Sequence, residues 1–459
     1  MKSLFPSNFK WPLFIGLALL IRVAFVGMSW TSYFSVLISL HHFLLFFDAV
    51  GKIIPVRYLL GVFMCLQFFI GPSLSYNGFD EYQYIVYRMK IPENEYFAYA
   101  IPAVLSFIIG LHLNSKGLAG ESVDQEKVTK FVNENPKLPY YFLAIGFVAS
   151  ITSGFFSSDL AFVFYLIGSF KFIGLFLLVL GGKYLKPLPL TLVIGSIVSS
   201  SLGDGMFHDL LTWVIFVACV YGVRYRFGVN IKLMGLGIFI VFATVIQQMK
   251  GIYRESIGSE GAGIETFGKL LEQQNEQNGI FSFESLAPSV TRINQGFIIT
   301  NIMNTVPDKV PFSNGEEMRQ IFEAAFLPRI LAPNKLNAGD REVFTKWSGI
   351  KLRAGTSMGL SSLGDAYLNF GVLGGCIFMF LLGLSYNNIL KVFHNQGKTY
   401  PILPLFTTLV FYYPIRPDCE LQTILGHLVK SCFLIYVMIL FSKDMFSLKK
   451  KESFLKETI

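Results

Sequence analysis

Apolar positions along this chain arrive in runs of about 20 residues, each closed by a short polar segment rich in Lys, Arg, Pro or Gly. An α-helix needs that length to cross the hydrocarbon of a bilayer, where each backbone N–H and C=O must be satisfied within the helix itself. The runs at 12–29, 33–49, 58–75, 96–113, 139–157, 160–181, 187–203, 209–223, 233–249, 367–390, 401–416 and 422–441 predict an all-α, polytopic integral membrane protein of about twelve helices. The pattern is weakest at 33–49 and 209–223. One connection, 250–366, exceeds a hundred residues and begins polar. It then shows helical periodicity at 291–306 and an amphipathic stretch at 315–331, where Met318, Ile321, Phe322, Ala325 and Phe326 form one apolar stripe. That stretch either lies on the membrane surface, caps the bundle or packs within its own loop. The chain thus divides into an N-terminal bundle (1–249), a large loop (250–366) and C-terminal helices with a basic tail (367–459).

Charge supplies an independent orientation. With the N-terminus inside and strict alternation, the inside segments carry twenty Lys and Arg, from Lys2 and Lys10 through Lys52, Arg57, Lys183 and Lys186 to the tail at Lys449–Lys451. The short outside segments carry only Arg88, Lys90 and Arg416. This is the positive-inside pattern, and it places both termini in the cytoplasm and the 250–366 loop outside. The formal charge of +8 therefore reflects membrane topology and anionic lipid, with no nucleic acid implied. Only 15% of residues are charged and mean hydropathy is +0.53, which excludes a soluble globular class. Five cysteines without a CxxC pair give neither a disulfide framework nor a metal cluster. Lys2 and Lys10 before an apolar run resemble a secretion signal, but the run reads as an uncleaved first helix.

Phosphate-loop, dinucleotide-binding and HExxH patterns are absent, so chemistry has to come from polar groups at the outer face. Three clusters stand there. In FYYPIRPDCELQTILGHLVKS (411–431), Pro414 and Pro417 bracket Arg416 and force a turn. Asp418 is placed to cap the next helix, and Glu420, His427 and Lys430 fall on one face of it, a polar stripe that should face the bundle interior. Glu420 either pairs with Arg416 or meets a ligand, and His427 either packs or does the same. The second cluster, 326–371, is dense in cations, including Arg329 and Arg353, then rich in Gly and Ser up to Asp365. Guanidinium forks and glycine-rich backbone suit diphosphate, whereas a solvated basic face and a helix-capping Asp365 are the plainer alternatives. The third, 76–97, sets Asp80, Glu81 and Arg88 among aromatics, as sugar-binding surfaces and interfacial belts both do. Arg292 is an isolated outer cation, and Asp204 with His208 is a weak metal pair.

The late outer loop, the segment LPRILAPNK…GTSMGLSSLGDAYLNFGVLGG and the later RPDCELQTILGHLVKS resemble the Wzy-type polymerases of bacterial surface polysaccharides, and more distantly the O-antigen ligases. The resemblance implies a GT-C-type membrane glycosyltransferase of the bacterial inner membrane. Its substrate would be an undecaprenyl-diphosphate-linked oligosaccharide unit, used at the periplasmic face without metal, cofactor or nucleotide sugar. It implies contacts with membrane lipid, a flippase and chain-length regulators. It implies catalytic roles for Arg416 and His427 and diphosphate contacts from Arg292, Arg329 or Arg353; Glu420, His427 and Asp365 are the alternative bases, and the aromatic cluster adds Asp80 and Arg88 as candidate substrate contacts. The only trace of the ligase motif HNxxL is HNQGK at 394–398, on the inner side, which favours polymerase. Rival expectations are a ligase, a lipid-linked oligosaccharide flippase or other transporter, and a membrane scaffold.

Overall fold

The computed structural model describes residues 2–156, 158–182, 187–279, 282–327, 331, 335–353 and 356–447. Arg329, Lys183, Lys186 and the tail cations Lys449–Lys451 lie outside the described residues. One-turn elements aside, the helices in chain order are α1 (Trp11–Ala24), α2 (Trp30–Ala49), α3 (Val56–Tyr76), α4 (Glu93–His112), α5 (Gln125–Glu134), α6 (Leu138–Phe155), α7 (Ala161–Gly181), α8 (Pro187–Asp204) and α9 (His208–Tyr225). They continue with α10 (Val229–Glu260), α11 (Ile264–Asn278), α12 (Phe283–Ile293), α13 (Gly296–Met303), α14 (Glu316–Phe326), α15 (Arg341–Ser348), α16 (Ser361–Gln396), α17 (Leu403–Val410) and α18 (Leu421–Phe441). No β-strand occurs among the described residues.

Eight helices (α2, α3, α4, α6, α7, α10, α16 and α18) are long and apolar enough to cross a bilayer, so the protein is a multi-pass membrane protein. The apolar α1 has 14 residues, and α8 and α9 are regular helices outside that set. The expected helix at 401–416 differs most. Helix α17 has only 8 residues, about 12 Å at 1.5 Å per residue, and irregular turns follow it. Residues 401–412 are nevertheless all buried, so this broken segment is enclosed by protein, the condition under which non-helical backbone survives at membrane depth.

Helices α4 and α16 form the most extensive pair. Two glycines face each other's helix backbone there. A Cβ on Gly110 would sit 2.2 Å from the Phe380 carbonyl oxygen, and one on Gly383 would sit 2.1 Å from that of Phe107. Small residues let two membrane helices approach closely when hydrophobicity alone gives them no reason to associate. Gly383→Val is therefore expected to destabilise the protein by about 1–3 kcal/mol through overpacking, read as a lowered unfolding midpoint in detergent.

The loop layer sits at the end where α3, α10 and α12 finish and α4, α16 and α18 begin. Helix α10 runs on to Glu260, well past the expected stop at 249, and is 32 residues long. Helix α16 begins at Ser361 and breaks at Gly371, whose φ of 65° and ψ of −161° only glycine adopts readily. The piece before the break is buried against the loop layer: Ser313 N–H donates to the Leu368 carbonyl, and Met318 N–H to Asn369 Oδ1. Helix α14 caps the bundle by packing on α18 through Met318, Ile321 and Ala325, while Phe322 and Phe326 stay exposed.

Candidate functional site

The chain turns sharply between α17 and α18. Arg416 N–H donates to the Tyr413 carbonyl and Cys419 N–H to that of Arg416, the two-proline turn predicted from PIRP. The Arg416 guanidinium lies 5.3 Å from the Tyr413 ring centroid. Its Nη1 is buried with no hydrogen-bond partner, and no carboxylate lies within 4 Å of it among the described residues.

Asp418 does not cap α18. Its Oδ2 accepts from Arg292 Nη2 at 3.1 Å, and its Oδ1 lies 3.4 Å from Gln67 Nε2. Burial pushes this carboxyl up, but Arg416 and Arg292 outweigh it, with help from Gln67, and hold it below the ordinary carboxylate value. Lys250 on α10 lies within electrostatic range of Arg292, Asp418 and Arg416, and of Arg254 one turn further along the helix. Three cations, Arg416, Arg292 and Lys250, therefore gather around Asp418.

Lys250, Arg254 and Gln67 escaped the sequence reading. The ninth apolar run stops at 249, so the two cations fell into the loop, yet their i,i+4 spacing directly after an apolar run was a usable signal. Gln67 is a lone amide inside LQFFI, a five-residue π-helical turn of α3. The extra residue turns the Gln67 carbonyl outward to accept from Gln295 N–H at 3.1 Å. A few residues on, a Cβ at Gly71 would meet the Ile293 carbonyl at 2.5 Å. These contacts clamp α3 to the end of α12 and thereby aim Arg292. Gly71→Ala is expected to displace Arg292 and reduce activity by about 10–100-fold, checked by turnover alongside an unfolding midpoint.

Glu420 leaves the predicted stripe. It is the N-cap residue of α18 but makes no side-chain cap, and its Oε1 accepts from Gly339 N–H across the loop layer. The cap comes from Asp365, 5% exposed, which accepts from Leu421 N–H. Burial raises the Glu420 carboxyl above its ordinary value, the Gly339 bond opposes this, and Asp340 adds to it. The glycines of this segment approach Glu420: a Cβ on Gly359 would lie 2.7 Å from Glu420 N. Asp365 and Glu420 are thus brought together, on the opposite side of the turn from Asp418.

His427 is 2% exposed; its Nε2–H donates to the Leu409 carbonyl at 2.7 Å, and its ring lies 4.8 Å from that of Tyr413. Lys430 is exposed on the outside of α18, 4.3 Å over the Phe162 ring. The predicted inward stripe therefore splits three ways, because Glu420 precedes the helix and Lys430 faces outward.

Other expected residues stand apart. Asp80 Oδ2 accepts from Met89 N–H and Arg88 Nε donates to the Gln83 carbonyl, so both close the 77–92 segment on itself. Burial raises the Asp80 carboxyl. Arg353 is exposed, and no hydrogen bond or ion pair links it to the Arg416 cluster among the described residues. Arg329 lies outside them. His208 and Asp209 pair at 2.6 Å, and among the described residues no third His, Cys, Asp or Glu completes a metal site.

No protein-family model, curated protein or solved structure matches this chain.

Proposed function

We propose that the protein is a membrane glycosyltransferase that polymerises undecaprenyl-diphosphate-linked oligosaccharide units into a surface polysaccharide. In this reading it crosses the bacterial inner membrane twelve times, with both termini cytoplasmic and the loop layer periplasmic. The observation that carries it is the cation cluster at the loop end: Lys250, Arg292 and Arg416 around the carboxylate of Asp418, with Arg416 Nη1 buried and unpaired. An arginine left short of acceptors in a partly buried site is ready for an anion, and a forked guanidinium matches diphosphate oxygens. The resemblance in 326–375 and 411–430 supplies the reaction class.

Chemically, a hydroxyl of one unit attacks the anomeric carbon of another, and the lipid diphosphate leaves with the bonding electron pair. Negative charge grows on the leaving oxygen. Fixed cations there stabilise the transition state more than the ground state, because they need no reorganisation as the bond breaks. Tyr413 braces the Arg416 guanidinium from one side, and Asp418 holds Arg292 near it.

A transporter would place charged groups along a path through the whole membrane. The opposite end of the bundle does hold a buried charge, Arg57, but it is 1% exposed and engaged by Glu121, Asn387 and the Leu111 carbonyl. A group that conducts substrate faces a watery cavity instead. Reconstituted protein given native lipid-linked units tests the choice. A ladder of products supports polymerase, and single units transferred to another acceptor indicate ligase. Unchanged units that appear across the bilayer indicate transport and overturn the proposal.

A further inference from the structure

On the other side of the 416–420 turn lies a pocket between α14, α15 and the starts of α16 and α18. Its walls include four acids (Glu317, Asp340, Asp365 and Glu420) and two aromatics (Phe344 and Trp347). Two of the acids are already committed. Glu317 takes Lys346 at 3.0 Å, and Asp340 caps α15 by accepting from the N–H groups of Glu342 and Val343. Asp365 and Glu420 each accept one backbone N–H and repel one another, with no cation in ion-pair distance of either among the described residues. In the same pocket Trp347 is 3% exposed and its Nε1–H is buried with no acceptor.

A donor without an acceptor and carboxylates without a cation require one group that both accepts and donates. An anion would be repelled by the acids. A metal ion would satisfy the carboxylates and leave the indole N–H unpaired. A hydroxyl answers both, accepting from Trp347 and donating to a carboxylate. The enclosed volume, about 40 Å³, holds a hydroxyl-bearing edge of a sugar and leaves the ring at the mouth.

We infer that this pocket is the acceptor subsite, in which Trp347 binds the attacking sugar hydroxyl and the Asp365–Glu420 pair takes its proton. The inference rests on the glycosyltransferase reading and adds the acceptor half of it. The hydroxyl oxygen forms its bond to the anomeric carbon, the bond from that carbon to the diphosphate oxygen breaks, and the proton passes to Glu420. The free carboxylate faces Asp365, Asp340 and Glu317, with Lys346 held by Glu317, so acidification removes the base and slows the reaction.

The test uses full-length protein in lipid nanodiscs. The probe is the oligosaccharide released from native lipid-linked units by mild acid, which carries acceptor hydroxyls and no lipid diphosphate. Saturable quenching of tryptophan fluorescence is expected for wild type. Trp347→Phe keeps the ring, and microscale thermophoresis is expected to show binding weakened about tenfold, with an unchanged unfolding midpoint. Glu420→Gln is expected to lower kcat by about 10²–10⁴-fold with little change in KM, and to abolish the fall in rate at low pH. No oligosaccharide binding by wild type overturns the inference. So do Trp347→Phe binding equal to wild type and a Glu420→Gln variant that keeps the wild-type rate and pH profile. Oligosaccharide binding without any product ladder from lipid-linked units refutes the polymerase reading while leaving the pocket's ligand class standing.

Discussion

Arg416→Ala is expected to reduce polymer formation by about 10²–10³-fold while leaving the unfolding midpoint close to wild type. Size-resolved products from reconstituted protein and lipid-linked units measure this. The asymmetry follows from the side chain's surroundings. Its Nη1 has no hydrogen-bond partner and Tyr413 offers only a ring face, so truncation breaks no hydrogen bond, and Arg292 stays paired with Asp418 to offset its charge. It removes a donor fixed where charge develops on the leaving diphosphate. Arg416→Lys is expected to recover only a fraction of the loss, because an ammonium cannot present forked donors. Arg292→Ala should cost less than Arg416→Ala, since Asp418 already takes part of the Arg292 charge. Equal ladders from wild type and Arg416→Ala would remove the diphosphate assignment.

Arg57→Met is expected to have the largest effect on stability, about 3–5 kcal/mol. Arg57 holds Glu121, the Asn387 amide oxygen at 2.8 Å and the Leu111 carbonyl, so one guanidinium ties α3, α4, α16 and the turn at 118–121 together. Its removal leaves Glu121 buried and charged, and Glu121 Oε2 already lacks a partner. The double change Arg57→Met with Glu121→Leu is expected to recover much of the loss, because a buried pair and its apolar replacement differ little in free energy. Thermal unfolding of the three proteins in one detergent measures both. A single mutant as stable as wild type would refute the account.

Sequence reasoning reached the apolar elements wherever a single helix decides its own fate. Helices α3, α4, α7 and α18 fall close to the runs that predicted them, since a long apolar segment has few alternatives in lipid. It missed at 401–416, where protein encloses a half-helix and turns, because composition does not distinguish burial in lipid from burial in protein. It also stopped α10 at the polar boundary, although the helix continues and carries Lys250 to Arg292.

The contents of the cation cluster and of the acidic pocket depended on contacts distant in sequence. Arg416 and Arg292 were legible as outer cations flanked by helix-breaking or polar sequence. That Asp418 joins Arg292 from 126 positions away was not, nor was Glu420 reaching Gly339 or Asp365 capping α18. Trp347 gave no signal, because a tryptophan in a loop is ordinary until its N–H is seen to be buried and unpaired.

By itself the amino-acid order determined an all-helical membrane protein with a late polar loop, since transfer of apolar and charged groups between water and lipid is a local, additive property of each segment. Only the tertiary structure decided which charges face one another. Electrostatic partnership depends on distance and burial in space, and the π-helical turn of α3, the break at Gly371 and the turn at Arg416 set those distances.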